Sequence, residues 1–102
     1  MGKKLNNEVS IHKNGRTYLS EDIFKKLGEP LKVKIFVNDV NKMIVLVPTN
    51  EDGDDIFKIN QDKYFLSLEK IYYILGYAEA PSGRKNIDFC DDSIIIYLRK
   101  KD

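Results

Sequence analysis

The sequence predicts a β-rich α+β fold: a tandem duplication of a ββαββ motif, its two copies packed with pseudo-two-fold symmetry into one domain over residues 1–102. Three observations predict it. Leu19, Ser20, Ile23, Phe24, Leu27 and Gly28 reappear in order as Leu66, Ser67, Ile71, Tyr72, Leu75 and Gly76, and self-similarity at a fixed spacing marks a repeat. Around each copy of this pattern lie short β-prone runs separated by turn residues. Finally, about forty-five residues per copy are too few for a separate core without disulfides or metal, so the copies must share one. The offset is 47 at the serines and 48 at the glycines, which implies one inserted residue in the second copy. Ile11 with Ile59, Ile35 with Ile87, Val37 with Phe89, and Ile44 to Val47 with Ile95 to Leu98 extend the match. Repeat 1 is expected over about 7–48, a polar and acidic linker over 49–55, repeat 2 over about 56–98, and frayed tails at 1–6 and 99–102.

Each element has a local reason. Asn14-Gly15 tolerates positive φ and predicts a two-residue hairpin turn between the first two strands. Ser20 predicts a helix N-cap, with Glu21 and Asp22 in the first turn, where the helix dipole favours acids. Ile23, Phe24 and Leu27 form one apolar stripe, Lys25 and Lys26 face water, and Gly28 with Pro30 ends the helix. Leu31, Val33, Ile35 and Val37 alternate with lysines as a half-buried strand. Asn38-Asp39 turns the chain into Met43 to Val47, an unbroken apolar run that predicts burial on both faces. The second copy repeats the scheme with Ser67 as cap, Gly76 as stop and a longer connection, Tyr77 to Gly83.

Composition bounds the function. Seventeen basic against sixteen acidic residues leave +1, so no global field draws the chain onto nucleic acid. One cysteine closes no intramolecular bridge, and one histidine leaves no metal cluster. No apolar run reaches the length of a membrane span or a signal-peptide core, which implies no membrane partner and an intracellular setting. Catalysis has no recognisable constellation: His12 lacks an evident partner, and Cys90 beside Asp91-Asp92 reads as a small buried or semi-exposed filler. Glu51 to Asp55 lacks the spaced ligands of a calcium loop, and Pro81 to Lys85 lacks phosphate-loop glycine spacing. The expectation is therefore a non-enzyme with no cofactor.

Gly15, Arg16, Leu19, Ser20, Ile23, Leu27 and Gly28, followed by a strand pair ending at Pro48, resemble the AbrB/MazE looped-hinge family over about residues 9–48. A blurred second copy covers 56–98. The resemblance implies a single-chain version of an intertwined β-rich dimer, and in the family DNA is bound through arginines of the hairpin and early helix. This sequence departs from that pattern: the family's proline is Ser20, and its helix arginine is Phe24 and Tyr72. The Lys-, Ile- and Tyr-rich composition is also similar to that of small proteins of filamentous viruses of Acidianus, a hyperthermophilic archaeon. That likeness implies a viral protein of the host cytoplasm and carries no catalytic residues.

Charge and tyrosine distribution separate two functions. Residues 1–50 carry nine basic and five acidic residues, a net +4, whereas residues 51–102 carry eight and eleven, a net −3. A pseudo-dimer reading palindromic DNA needs equivalent basic surfaces, because phosphate neutralisation supplies most of the affinity. Five of six tyrosines lie in the second half, and Tyr73 and Ile74 replace the water-facing Lys25 and Lys26. Tyrosine buries much area at little rotamer cost, which suits a contact surface. The favoured reading is a protein-interaction module that binds a peptide or partner between the repeats through Tyr64, Tyr72, Tyr73, Ile74 and Tyr77, with free strand edges along the seam. The alternative is a divergent AbrB-like DNA-binding regulator using Lys13, Arg16, Lys25 and Lys26. A homodimer is compatible with either. In the plainer case, the 77–83 connection folds over Tyr73 and Ile74 and covers them.

Overall fold

Alternating apolar residues and closely spaced turns yield strands β1 (Glu8–Ile11) and β2 (Arg16–Tyr18), helix α1 (Glu21–Lys26), and strands β3 (Lys32–Asn38), β4 (Met43–Pro48), β5 (Ile56–Lys58) and β6 (Phe65–Ser67). Helix α2 (Glu69–Ile74) and strands β7 (Gly83–Cys90) and β8 (Ser93–Tyr97) complete the chain. The structure, a computed structural model, describes residues 8–99; the expected tails, Arg99 apart, lie outside the described residues. The protein is thus a small β-rich α+β domain of eight strands and two short helices.

All eight strands join one sheet in the order β5-β3-β4-β8-β7-β1-β2-β6, and every pair is antiparallel. The sheet rolls until its end strands approach each other, where the Asn60 amide donates to the Phe65 carbonyl at 2.8 Å. Period-two alternation sends Val9, Ile11, Val33, Ile35, Ile44, Leu46, Ile87, Ile94 and Ile96 into the interior. Helix α1 adds Ile23, Phe24 and Leu27, and α2 adds Ile71, Tyr72 and Leu75. Each such side chain contributes roughly 1.5–3 kcal/mol by leaving water. Among the described residues no buried side-chain nitrogen or oxygen lacks a hydrogen bond.

Several local expectations are corrected. The β1–β2 hairpin closes through three residues, not two: His12 N–H donates to Arg16 O and Gly15 N–H to His12 O, so Gly15 at φ 89° follows the turn as a bulge. Ser20 does cap α1, accepting from Ile23 N–H at 3.2 Å. Ser67 does not cap α2; it ends β6, and Leu68 occupies the cap position with no capping side chain. Leu68 is fully buried and its N–H donates to Gly15 O at 2.9 Å, so tertiary contact substitutes for a cap. Met43 to Val47 buries one face only, with Ile44 and Leu46 inside while Met43, Val45 and Val47 stay half-exposed. Leu31 and Val37 are exposed, because the buried stripe of β3 is confined to Val33 and Ile35.

Candidate functional site

Helix α2 has only six residues, too short to persist alone, so its position is set by what it docks against. The β1–β2 hairpin is the main dock. A Cβ on Gly15 would lie 2.6 Å from Glu69 Cα, so only glycine lets the hairpin backbone approach the start of the helix. Just inside, the hydroxyls of Thr17 and Tyr72 share a short hydrogen bond, both residues being fully buried. Burial pushes the Tyr72 phenol well above its ordinary range, and the Thr17 hydrogen bond opposes this only in part. At the other end, Lys42 Nζ donates to Leu75 O at 2.9 Å, placing a cation where the helix dipole is negative. The same Nζ pairs with Asp39 at 2.6 Å and lies 6.0 Å from the Tyr77 ring centre.

What α2 turns outward is apolar. Tyr73 is 76% exposed and Ile74 is 60% exposed. The connection after Gly76 runs beside them and does not cover them. Between this helix, the connection and the tip of the β1–β2 hairpin lies a groove of about 490 Å³. Lys13 forms the hairpin side, while Tyr73, Tyr77, Ala78 and Glu79 form the other. An adjoining hollow of about 610 Å³, lined by His12, Lys13 and Asn14 against Ser82 to Arg84, continues it along the connection. Lys13 borders both hollows.

The five residues expected to contact a partner do not form one surface. Tyr73 and Tyr77 line the groove, and Ile74 is exposed outside its lining. Tyr72 borders the floor of the groove but is only 1% exposed, so most of its ring packs in the core. Tyr64, at φ 59°, leans its ring on Phe24 at 4.9 Å and packs beside α1, away from α2. Among the described residues the unpaired edges lie on β5 and β6, at the ends of the sheet, and not between the two segments. Segments 7–48 and 56–98 meet through paired strands, β4 on β8, β2 on β6, β1 on β7 and β3 on β5. The signal for Tyr72 was present in the sequence, since it stands where Phe24 stands in the buried stripe of the first helix.

The four cations of the DNA reading are divided. Lys13 and Arg16 sit on the hairpin, and the Arg16 guanidinium lies 4.7 Å from the Phe65 ring centre. Lys26 lies 4.1 Å from the Phe89 ring centre. Phe89 is six residues along β7 from Gly83, which pairs with β1, so the two groups are separated by about 20 Å. Lys25 pairs with Glu21 at 3.1 Å, and the hydrogen bond it donates to that carboxylate raises the lysine's pKa.

The remaining chemistry is modest. The acids of 51–55 serve β3: Lys32 binds Asp52 at 2.8 Å and holds its carboxyl below the usual range, and Lys34 lies 3.8 Å from Asp55. Cys90 is exposed at the β7–β8 turn. Among the described residues no three His, Cys, Asp or Glu side chains gather as a metal site, and no helix is long and apolar enough to cross a membrane. Scans against protein-family models, curated proteins and solved structures return no match for this chain.

Proposed function

We propose that this chain is a non-enzymatic protein-interaction module, built from two interlocked copies of a ββαββ unit, that holds a peptide or partner segment in the groove between them. The duplication is supported by strand register. Shifting β1, β2, β3 and β4 by 48, 49, 52 and 50 residues reproduces the strand pairings except the β1–β2 ladder, of which only the Asn60 N–H to Phe65 O bond has a counterpart: Val9↔Lys85 becomes Phe57↔Val33, and Ser10↔Arg84 becomes Lys58↔Lys32. The β4–β8 pairing maps onto itself about Val45↔Ile95, and β2–β6 about Thr17↔Leu66, as a two-fold axis requires. These offsets assign the extra residue of copy two to its first hairpin loop. They leave Ser20 without a counterpart, which accounts for the uncapped second helix. Interlocked halves also agree with the looped-hinge resemblance.

The observation that carries the functional reading is the exposure of Tyr73 and Ile74 beside the groove. Copy one carries lysines at these positions, and an exposed Tyr-Ile pair costs solvation that only a partner would recover. The groove lies between copies, because Lys13 comes from the first and the tyrosines from the second. An extended segment with one apolar side chain for Tyr73 and Tyr77, and an acid for Lys13, fits its lining. The AbrB-like DNA reading ranks second, since a duplex would have to meet two cation groups at opposite ends of β7.

The test is capture of short peptides selected from a displayed random library. Tyr73→Ala with Ile74→Ala is expected to weaken the selected peptides tenfold or more, at ~1–2 kcal/mol per truncated anchor. The thermal midpoint should stay within a degree or two of the parent, because both side chains face solvent. Undiminished capture by the double variant would remove the reading.

A further inference from the structure

The sheet carries a second distinctive surface, on its outer face beside the hairpin hollow. Cross-strand register aligns Arg84 of β7, Ser10 of β1, Tyr18 of β2 and Phe65 of β6 in one row. Their neighbours Ile11, Thr17 and Leu66 point inward and are buried, so this row points out. Tyr18 lies between two other rings, 5.0 Å from Phe65 and 4.6 Å from His12, centre to centre. Arg16, exposed on the same face, stacks its guanidinium on Phe65 at 4.7 Å. Four strands place the row across about 14 Å.

These rings are half-exposed or exposed, and they lean on one another and on a cation rather than on the core. A sheet face of adjacent aromatic rings bordered by guanidinium groups matches the two chemistries of a nucleotide, a flat π-face and an anion. We propose that this face is a stacking platform for single-stranded nucleic acid, with His12, Tyr18 and Phe65 receiving about two or three bases. Arg16 and Arg84 meet the flanking phosphates. In a duplex the base faces are already stacked on one another, and a flat sheet face has no projecting element to enter a groove, so the platform selects single strands. Glu8 lies 3.9 Å from Arg84, and a phosphate would take over that guanidinium. This surface borders the hollow beside the hairpin through Ser10, His12 and Arg84, but it shares neither Tyr73 nor Tyr77 with the groove along α2.

The probe is a fluorescent oligothymidylate of about a dozen nucleotides, read by anisotropy at low and at physiological salt, with a duplex of equal length in parallel. Binding is expected to favour the single strand and to weaken with salt. Tyr18→Leu and Phe65→Leu, which keep apolar area but remove the ring, should each weaken it roughly five- to a hundredfold. Tyr18→Phe should bind like the parent, Arg16→Ala should weaken binding and flatten the salt dependence, and Tyr73→Ala should change nothing. Absence of binding at low salt would overturn the proposal. So would equal affinity for the duplex, indifference to the two leucine variants in folded protein, or loss of binding on Tyr73→Ala.

Discussion

Buried polar chemistry in this protein centres on Thr17 and Tyr72, which join β2 to α2 through their hydroxyls. Removing the Tyr72 hydroxyl leaves the buried Thr17 hydroxyl only its longer bond to Gly15 O at 3.4 Å, so Tyr72→Phe should cost about 1 kcal/mol at neutral pH in urea unfolding. The pair also imposes a direction on pH dependence. The folded state holds the Tyr72 phenol above its unfolded value of about 10, so on alkalinisation the unfolded chain releases its proton first. Stability therefore falls above about pH 10, by up to ~1.4 kcal/mol per pH unit from this group, and Tyr72→Phe should lose that part of the slope. An unchanged slope in the variant would contradict the burial. Read from sequence, Tyr72 and Tyr73 are adjacent aromatics on a short helix, and a bias in tyrosine number says nothing about which one faces in. Spacing within the Ile71, Tyr72, Leu75 stripe settles it, because residues one apart on a helix point about 100° apart.

The short helices show how neighbours set local structure. Helix α1 holds its own start through Ser20, whereas α2 depends on Gly15, Thr17 and Lys42, none of them in its own segment. The two left-handed glycines Gly15 and Gly76 should then differ sharply on alanine substitution. Gly76→Ala places a methyl in open space and should cost about 1–2 kcal/mol, from backbone strain alone. Gly15→Ala adds a collision with the Glu69 backbone and should cost more than about 3 kcal/mol by chemical denaturation, while also disturbing the groove. Equal losses would mean the hairpin does not rest on the helix. The turns, the first cap and both helical stripes were legible as short-range patterns. The three-residue hairpin loop, the uncapped α2 and the half-exposed outer face of β4 were not. Each is decided by a strand or backbone distant in sequence: Gly15 under Leu68, and Phe36 and Ile95 flanking Val45.

At the scale of the whole molecule, β1 completes its sheet on β7 and β5 on β3, so each half supplies strands to the other's sheet. That exchange explains why the seam has no free edges, and why the groove opens instead where a hairpin of one half meets a helix of the other. The order of elements was legible in the sequence, because turn residues, caps and short apolar stripes are local signals. Which strands pair was not, since register between distant segments leaves no local trace beyond the apolar faces to be covered. The two separate half-chains, cut between Asn50 and Glu51, give the most direct test, read by circular dichroism and amide exchange alone and after mixing. Each half alone should lack protected strands, and mixing should restore protection in β1, β4, β7 and β8 together. Either half holding native-like protected strands by itself would contradict the interlocked architecture and the groove that follows from it.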